Sequence, residues 1–261
     1  MNASTTPVIP ATVNDNAFTN PEYRDVLASL SGWQKRAWLH GDWDIAAGQF
    51  FTTFRRDVHV IDDFADGRGT DWFAALDYGF THFTVALLGC EDSDGNLFIV
   101  DEHAARSWVP DRHAEAIKAM LQRHHIALVP HHRYAVALRR FVAGPDVFAR
   151  QSTGSTIARQ YADLGISLTP AQADRVSGWA EILKRLGDPA ASIPARLFIH
   201  RRCVRLIECL PALQHDPNRP EDVLKIDPDE NGIGGDDPAD ALRYLVATRP
   251  RKVQVLKLRG L

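Results

Sequence analysis

Two apolar runs, Trp72–Asp77 and Phe83–Cys90, are separated by only five residues, and each is of strand length rather than helix length. They read as adjacent strands joined by a tight turn. The first run ends in a carboxylate, in Ala75-Leu76-Asp77-Tyr78-Gly79. An aspartate at the end of so apolar a strand is costly unless it is paired or bound to a cation. A third strand, Leu97–Asp101, follows the Asp92-Ser93-Asp94-Gly95-Asn96 stretch, whose Asp-Gly step tolerates the positive φ of a hairpin turn.

The pattern then alternates. Pro110 stands where a first-turn proline belongs, with Ala114, Ile117, Ala119, Met120 and Leu121 supplying the apolar face of a helix. Tyr134–Leu138 and Phe141–Ala143 are weaker strand candidates. A helix over Ser155–Leu164 ends at Gly165, a short strand is expected at Ile166–Leu168, and a helix at Val176–Leu186. A late strand, Arg196–His200, and a helix from about Val204 to Leu213 follow. This order specifies an α/β fold, a mixed sheet with helices on both faces. Upstream, residues 1–20 lack periodicity and read as extended or disordered, and residues 21–40 carry near-helical apolar spacing. The linker-like Asp62–Asp71 segment sets the main boundary, giving units 1–60 and 61–261.

Two more acidic stretches complete the pattern. One is Ala143-Gly144-Pro145-Asp146. The other is Gly235-Asp236-Asp237-Pro238-Ala239-Asp240, which opens the helical run through Tyr244 and Leu245. Carboxylates from a strand end, a second strand end and a helix start can converge on hard divalent cations, which prefer oxygen ligands. Two such ions, roughly 4 Å apart, can clamp the attacking and leaving oxygens of a phosphodiester. Asp77, Asp146 and Asp237 are therefore the candidate catalytic residues and metal ligands, with Asp236 a further ligand. Asp240, three residues past Asp237, shares its helix face, and Asp101 and Glu102 follow the third strand as additional candidates. Each has a plainer reading: turn capping for Asp77, helix capping for Asp146 and the Asp-Asp pair, a solvated strand end for Asp101 and Glu102. Arg175, Ser177 and Lys184 are candidate phosphate contacts beside the site.

Composition narrows the classes. Apolar residues make up 45% and charged residues 24% of 261, ordinary for a globular chain with a proper core. No run approaches a membrane span and no signal-peptide pattern opens the chain, so a cytoplasmic protein is expected. Three cysteines without CxxC spacing argue against a disulfide framework or a zinc site. The paired histidines 124–125 and 131–132 lack a third ligand for a transition metal. The net charge of −3 does not advertise a nucleic-acid binder, yet arginines flank the second acidic stretch and cluster again at Arg196, Arg201, Arg202 and Arg205. A basic surface beside an acidic pocket fits a metal-dependent nuclease. No G-x-S-x-G and no Ser-His-Asp set offers a protein nucleophile.

The element order resembles the ribonuclease H-like fold, in which a carboxylate on the first strand opens the active site. Particular stretches narrow the resemblance to phage terminase large subunits: Pro10–Asn16, Pro21-Glu22-Tyr23 and Leu39–Asp44, then Asp77-Tyr78-Gly79, Asp174–Trp179, Asp216–Val223 and Asp236–Tyr244. The resemblance implies that residues 1–60 are a connector following an ATPase domain and 61–261 a ribonuclease H-like nuclease domain. It implies an endonuclease cutting concatemeric viral DNA in genome packaging, with Mg²⁺ or Mn²⁺ as two-ion cofactor. It places a metal-binding acid near Asp146 and another in the Asp236–Asp237 pair. Double-stranded DNA is the implied partner, together with a separate ATPase domain, a small terminase subunit and a portal. The chain lacks the G-x-x-x-x-G-K-[ST] phosphate loop, so it resembles only the nuclease half, as a fragment of a longer gene or as a stand-alone remnant. Other readings are a Holliday-junction resolvase or integrase-type nuclease and a non-catalytic DNA- or portal-docking module.

Overall fold

The computed structural model describes residues 20–28, 48–64, 71–128, 136–152, 154–229 and 234–248. The expected features at 1–19, 29–47, 131–132 and most of the Asp62–Asp71 linker lie outside the described residues. Among those described, no helix is long and apolar enough to cross a membrane.

The centre is the three-stranded meander that the apolar runs foretell. β2 (Asp71–Asp77) pairs antiparallel with β3 (Thr84–Glu91), and β3 antiparallel with β4 (Leu97–Ala105). Thr84 locks the β2–β3 turn: its hydroxyl donates to the Gly79 carbonyl at 2.6 Å. After α3 (Pro110–Arg123), the chain returns as β6 (Val136–Ala143) parallel to β2. β1 (Val60–Ile61), β5 (Ile126–Ala127), β7 (Thr169–Pro170) and β8 (Leu197–His200) extend it to eight strands, in the order β1-β8-β4-β3-β2-β6-β5, with β7 also on β6. Two expected strand fragments thus form one strand, β6, whose exposed first half carries Arg139 and Arg140. The strand expected at Ile166–Leu168 lies three residues later, and Ile166 is instead buried as a core residue.

Helices cover both faces. α3 and α4 (Ile157–Asp163) close one face over Leu76, Leu88 and Val100. The other is covered by α5 (Arg175–Leu186), α6 (Val204–Ala212) and α7 (Asp237–Ala247). α1 (Pro21–Ala28) and the single turn α2 (Arg56–His59) precede the sheet, and the hairpin β9 (His215–Asp216) and β10 (Arg219–Val223) follows α6. Phe50, Phe51 and Phe54 are buried in the same core as Trp179, so residues 48–61 are physically continuous with the sheet although they straddle the expected boundary after residue 60.

α7 lies across β2, β3 and β6 and beneath α5, and Pro238 to Val246 are all buried. Its polar side chains therefore need partners inside the protein. Gly178 of α5 provides the closest approach: a Cβ there would stand 2.3 Å from Arg243 Cγ. Overpacking of this kind costs about 1–3 kcal/mol. Gly178→Ala is expected to lower the denaturant midpoint accordingly in an equilibrium unfolding titration, with the slope of the transition unchanged.

Candidate active site

Asp77 ends β2 on the face that carries α7, because alternation along the strand puts Phe73, Ala75 and Asp77 on one side. The first turn of α7 meets it there. Asp236 is the residue before the helix and its side chain caps nothing, so the plainer capping reading does not account for it. Asp236 Oδ2 is buried without a hydrogen-bond partner among the described residues. Asp237 Oδ2 instead reaches the β2–β3 turn and accepts the Phe83 backbone N–H at 3.3 Å.

Like charges gathered away from water resist ionisation. Burial, then Asp240, Asp237 and Asp236, hold the Asp77 carboxyl well above the usual carboxylate range. Burial, followed by Asp240, pushes Asp236 up to about 6. Asp237 is raised as well, chiefly by burial, with the Phe83 N–H and His82 acting against the shift. These acids are thus one electrostatic unit.

Arg175 holds the unit together. Its Nε donates to both oxygens of Asp222 at 3.0 and 3.2 Å, and its Nη1 to both oxygens of Asp240 at 3.3 and 3.2 Å. Its Nη2 donates to the Val223 carbonyl at 3.1 Å and lies 3.9 Å from Asp236 Oδ2. Arg243 Nε donates to Asp240 Oδ1 at 2.9 Å, and Lys225 Nζ stands 3.9 Å from Asp240 Oδ2. Asp222 also accepts from Trp179 Nε1 at 2.8 Å; burial works to raise it, but Trp179 and Arg175 outweigh that and leave it below the usual range. Arg175, read from sequence as a phosphate contact, spends its guanidinium on these carboxylates. Ser177 and Lys184 are exposed on α5, seven residues apart and so on one helix face.

Asp146 sits in a 3-10 turn, Pro145–Phe148, directly after β6, and its side chain is exposed. The turn starts beside Asp77: the Gly144 N–H donates to the Leu76 carbonyl at 3.2 Å, and a Cβ at Gly144 would stand 3.0 Å from the Tyr244 ring of α7. Asp101 and Glu102 are employed elsewhere. Asp101 faces α3, where it accepts from Arg123 Nη2 at 3.0 Å and meets His124 Nε2 at 2.9 Å. Burial would raise it, but the bonds from His124, the Glu102 N–H and Arg123 prevail and lower it. Glu102 accepts the backbone N–H groups of Arg205 and Leu206 at 3.0 and 2.9 Å, capping the start of α6. Burial raises it to about 7 despite those bonds. Cys90, Cys203 and Cys209 are buried free thiols.

Among the described residues, no three His, Cys, Asp or Glu side chains stand close enough to enclose an ion by themselves. The donor chemistry nonetheless fits a hard cation on one side: oxygen donors only, mutually repelling, with one buried oxygen of Asp236 lacking a hydrogen-bond partner.

The fold decides the comparison. No family model matches the chain, and no curated protein matches it. Among solved structures, the large terminase of a thermophilic bacteriophage, in complex with ATP-gamma-S, superposes with a TM-score of 0.66 at 18% identity, over 91% of this chain and 54% of that one. The ADP complex of the same protein gives 0.65 at 17% identity, with 91% and 54% coverage. The P22 large terminase nuclease domain gives 0.57 at 18% identity, over 77% of this chain and 91% of its own. The chain has the fold of a large-terminase nuclease domain. It spans about half the length of the thermophilic phage terminase. Within this fold, β2 ends in Asp77, the turn after β6 carries Asp146, and α7 opens with Asp237. Lys225, Asp222 and Arg243 complete the charge network, and no local pattern in the sequence announces them as a group.

Raised carboxyl groups set a pH dependence opposite to ordinary acid denaturation. A carboxyl whose folded value lies above its unfolded value penalises the fold at high pH, and the penalty fades as pH falls from the folded toward the unfolded value. For Asp236 the window runs from about 6 down to the ordinary 3.8, with Glu102 adding to it from about 7. Asp101 and Asp222, held low, lose their contribution only below the ordinary carboxylate range. In EDTA the melting temperature is expected to rise from pH 8 to pH 5. Asp236→Asn should raise stability at pH 8, by on the order of 2 kcal/mol, and flatten the profile. Mn²⁺ should stabilise the wild type more at pH 8 than at pH 5.

Proposed function

We propose that this protein is a metal-dependent DNA endonuclease that cuts concatemeric viral DNA during phage genome packaging, by two-metal phosphodiester hydrolysis. The observation that carries this reading is the meeting of Asp77, at the end of β2, with the start of α7, where Asp236 Oδ2 is buried without a hydrogen-bond partner among the described residues and Asp237 Oδ2 bonds the β2–β3 turn. Acids assembled at such electrostatic cost without forming ion pairs for all their oxygens are poised for cations.

Asp77, Asp146 and Asp237 are the proposed ligands and catalytic residues, with Asp236 contributing its buried oxygen that accepts no hydrogen bond. When bound, Mg²⁺ or Mn²⁺ would supply Lewis-acid activation of water and charge neutralisation at the leaving 3′ oxygen. The Phe83 N–H orients the Asp237 carboxylate. Arg175 and Arg243 fix Asp240 so that its charge adds to the cluster without its oxygens leaving their partners. Asp146 approaches from solvent on its turn, which leaves the substrate side of the site open. Ser177 and Lys184 are proposed contacts to duplex DNA on the exposed face of α5.

The remaining partners follow from the relative. The thermophilic phage protein is a large terminase found with ATP-gamma-S, and this chain spans about half of its length. An ATPase domain, a small terminase subunit and a portal are the partners we propose, in the host cytoplasm.

Purified protein is expected to nick and linearise supercoiled plasmid in Mn²⁺ or Mg²⁺ and not in EDTA. Asp77→Asn should reduce the rate by at least about a hundredfold while leaving the melting temperature in EDTA equal or higher, since it removes a repelled charge. Asp146→Ala and Asp237→Ala should fall with it. Cutting that survives Asp77→Asn would defeat this assignment, and a preference for four-way junctions over linear duplex would favour a resolvase instead.

A further inference from the structure

Glu102 caps the first turn of α6, and the consequence is where that turn carries Arg205. The Arg205 guanidinium carbon lies 3.8 Å from the centre of the Phe83 ring. Arg106, from the segment just after β4, brings a second guanidinium to the same ring, at 5.7 Å. Arg106 Nη1 also donates to the Asp229 carbonyl at 3.2 Å. Phe83 is buried, and its backbone N–H is the group bound to Asp237. Two arginines therefore converge on the residue of the β2–β3 turn whose backbone N–H bonds the acid cluster.

A guanidinium stacked on an aromatic face keeps its N–H groups in the ring plane's outward directions, where they can form a fork toward a phosphate. The ring limits the rotamers available to the side chain, so less entropy is lost on contact. The acid cluster repels a bare phosphodiester, and a neighbouring cation pair offsets that repulsion at the flanking phosphate. His82 is exposed on the same turn, 3.8 Å from Asp227.

We infer that Arg205, supported by Arg106, is a substrate-contacting residue that seats a DNA backbone phosphate flanking the scissile one. The inference rests on the endonuclease reading above and assigns its substrate contact to the Phe83 side of the acid cluster. Glu102 is then a positioning residue: it orients α6 and through it Arg205.

The test is fluorescence anisotropy of a labelled linear duplex binding the full chain in EDTA, across a salt series, alongside plasmid cutting in Mn²⁺. Each phosphate contact contributes about 0.9 to the slope of log affinity against log salt. Arg205→Gln is expected to lower the slope by that amount and to raise KM with kcat retained, whereas Arg205→Lys, which keeps the charge, should preserve the slope. Arg106→Gln provides the second arm if Arg205→Gln proves unstable in a melting experiment, and is expected to reduce the slope too. A folded variant of either residue with wild-type slope and KM overturns the inference while leaving the endonuclease reading intact. A wild-type protein that neither binds nor cuts duplex overturns both.

Discussion

Mutual repulsion among Asp77, Asp236, Asp237 and Asp240 is the constraint around which this structure is organised. Nothing in their own chemistry keeps them together; burial and like charge both act to neutralise or separate them. They are kept together by elements whose stability comes from elsewhere. β2 is a buried central strand with partners on both sides, and α7 is buried along nearly its whole length. Apolar burial on these two elements is worth roughly tens of kcal/mol in gross terms, far above the penalty of a few clustered carboxyl groups. The site is thus a local strain carried by a large core.

Arg175 shows how that strain is limited rather than removed. A single guanidinium bridges Asp222 and Asp240 and approaches Asp236, while Trp179 donates to Asp222 from beneath. Neutralising every acid with a basic partner would have produced a closed salt-bridge network, stable and without chemistry. Here Asp240 and Asp222 are satisfied, whereas Asp77 and Asp236 keep carboxyl groups that burial and like charge hold high. That division separates residues that build the field from those left to use it.

How much of this could be read from the sequence follows from the range of each interaction. The meander and its terminal Asp77 were legible because apolar continuity over a strand's length is a local signal. The start of α7 was legible because the acidic stretch opens a helical run through Tyr244 and Leu245. β6 was read as two fragments because Arg139 and Arg140 interrupt the apolar pattern where the strand is exposed. β1 has only two residues and gains its place from β8, which comes much later in the chain. Glu102 and Asp101 look alike as acids at a strand end, yet successive residues face opposite sides of the sheet. One therefore meets α6 and the other α3. Arg175 reaches partners 47 and 65 residues away, so no window on the sequence distinguishes it from a surface arginine.

The placement of Asp146 bears on how the fold controls its own chemistry. Asp77 and the α7 acids are fixed by buried elements, but Asp146 stands on an exposed single turn whose Gly144 is wedged against Tyr244. Burial, then Asp77 and Asp240, push the Tyr244 hydroxyl up to about 12, so this ring stays neutral beside the acids and acts as packing rather than as a base. The three proposed ligands therefore differ in how firmly the fold holds them, and among the described residues they form no closed three-residue cage. An ion attracted by the buried acids would supply the force that draws Asp146 inward, because a carboxylate gains more from a divalent cation than from solvent exposure. Under the proposed endonuclease reading, the buried half of the site would set where the exposed carboxylate must go.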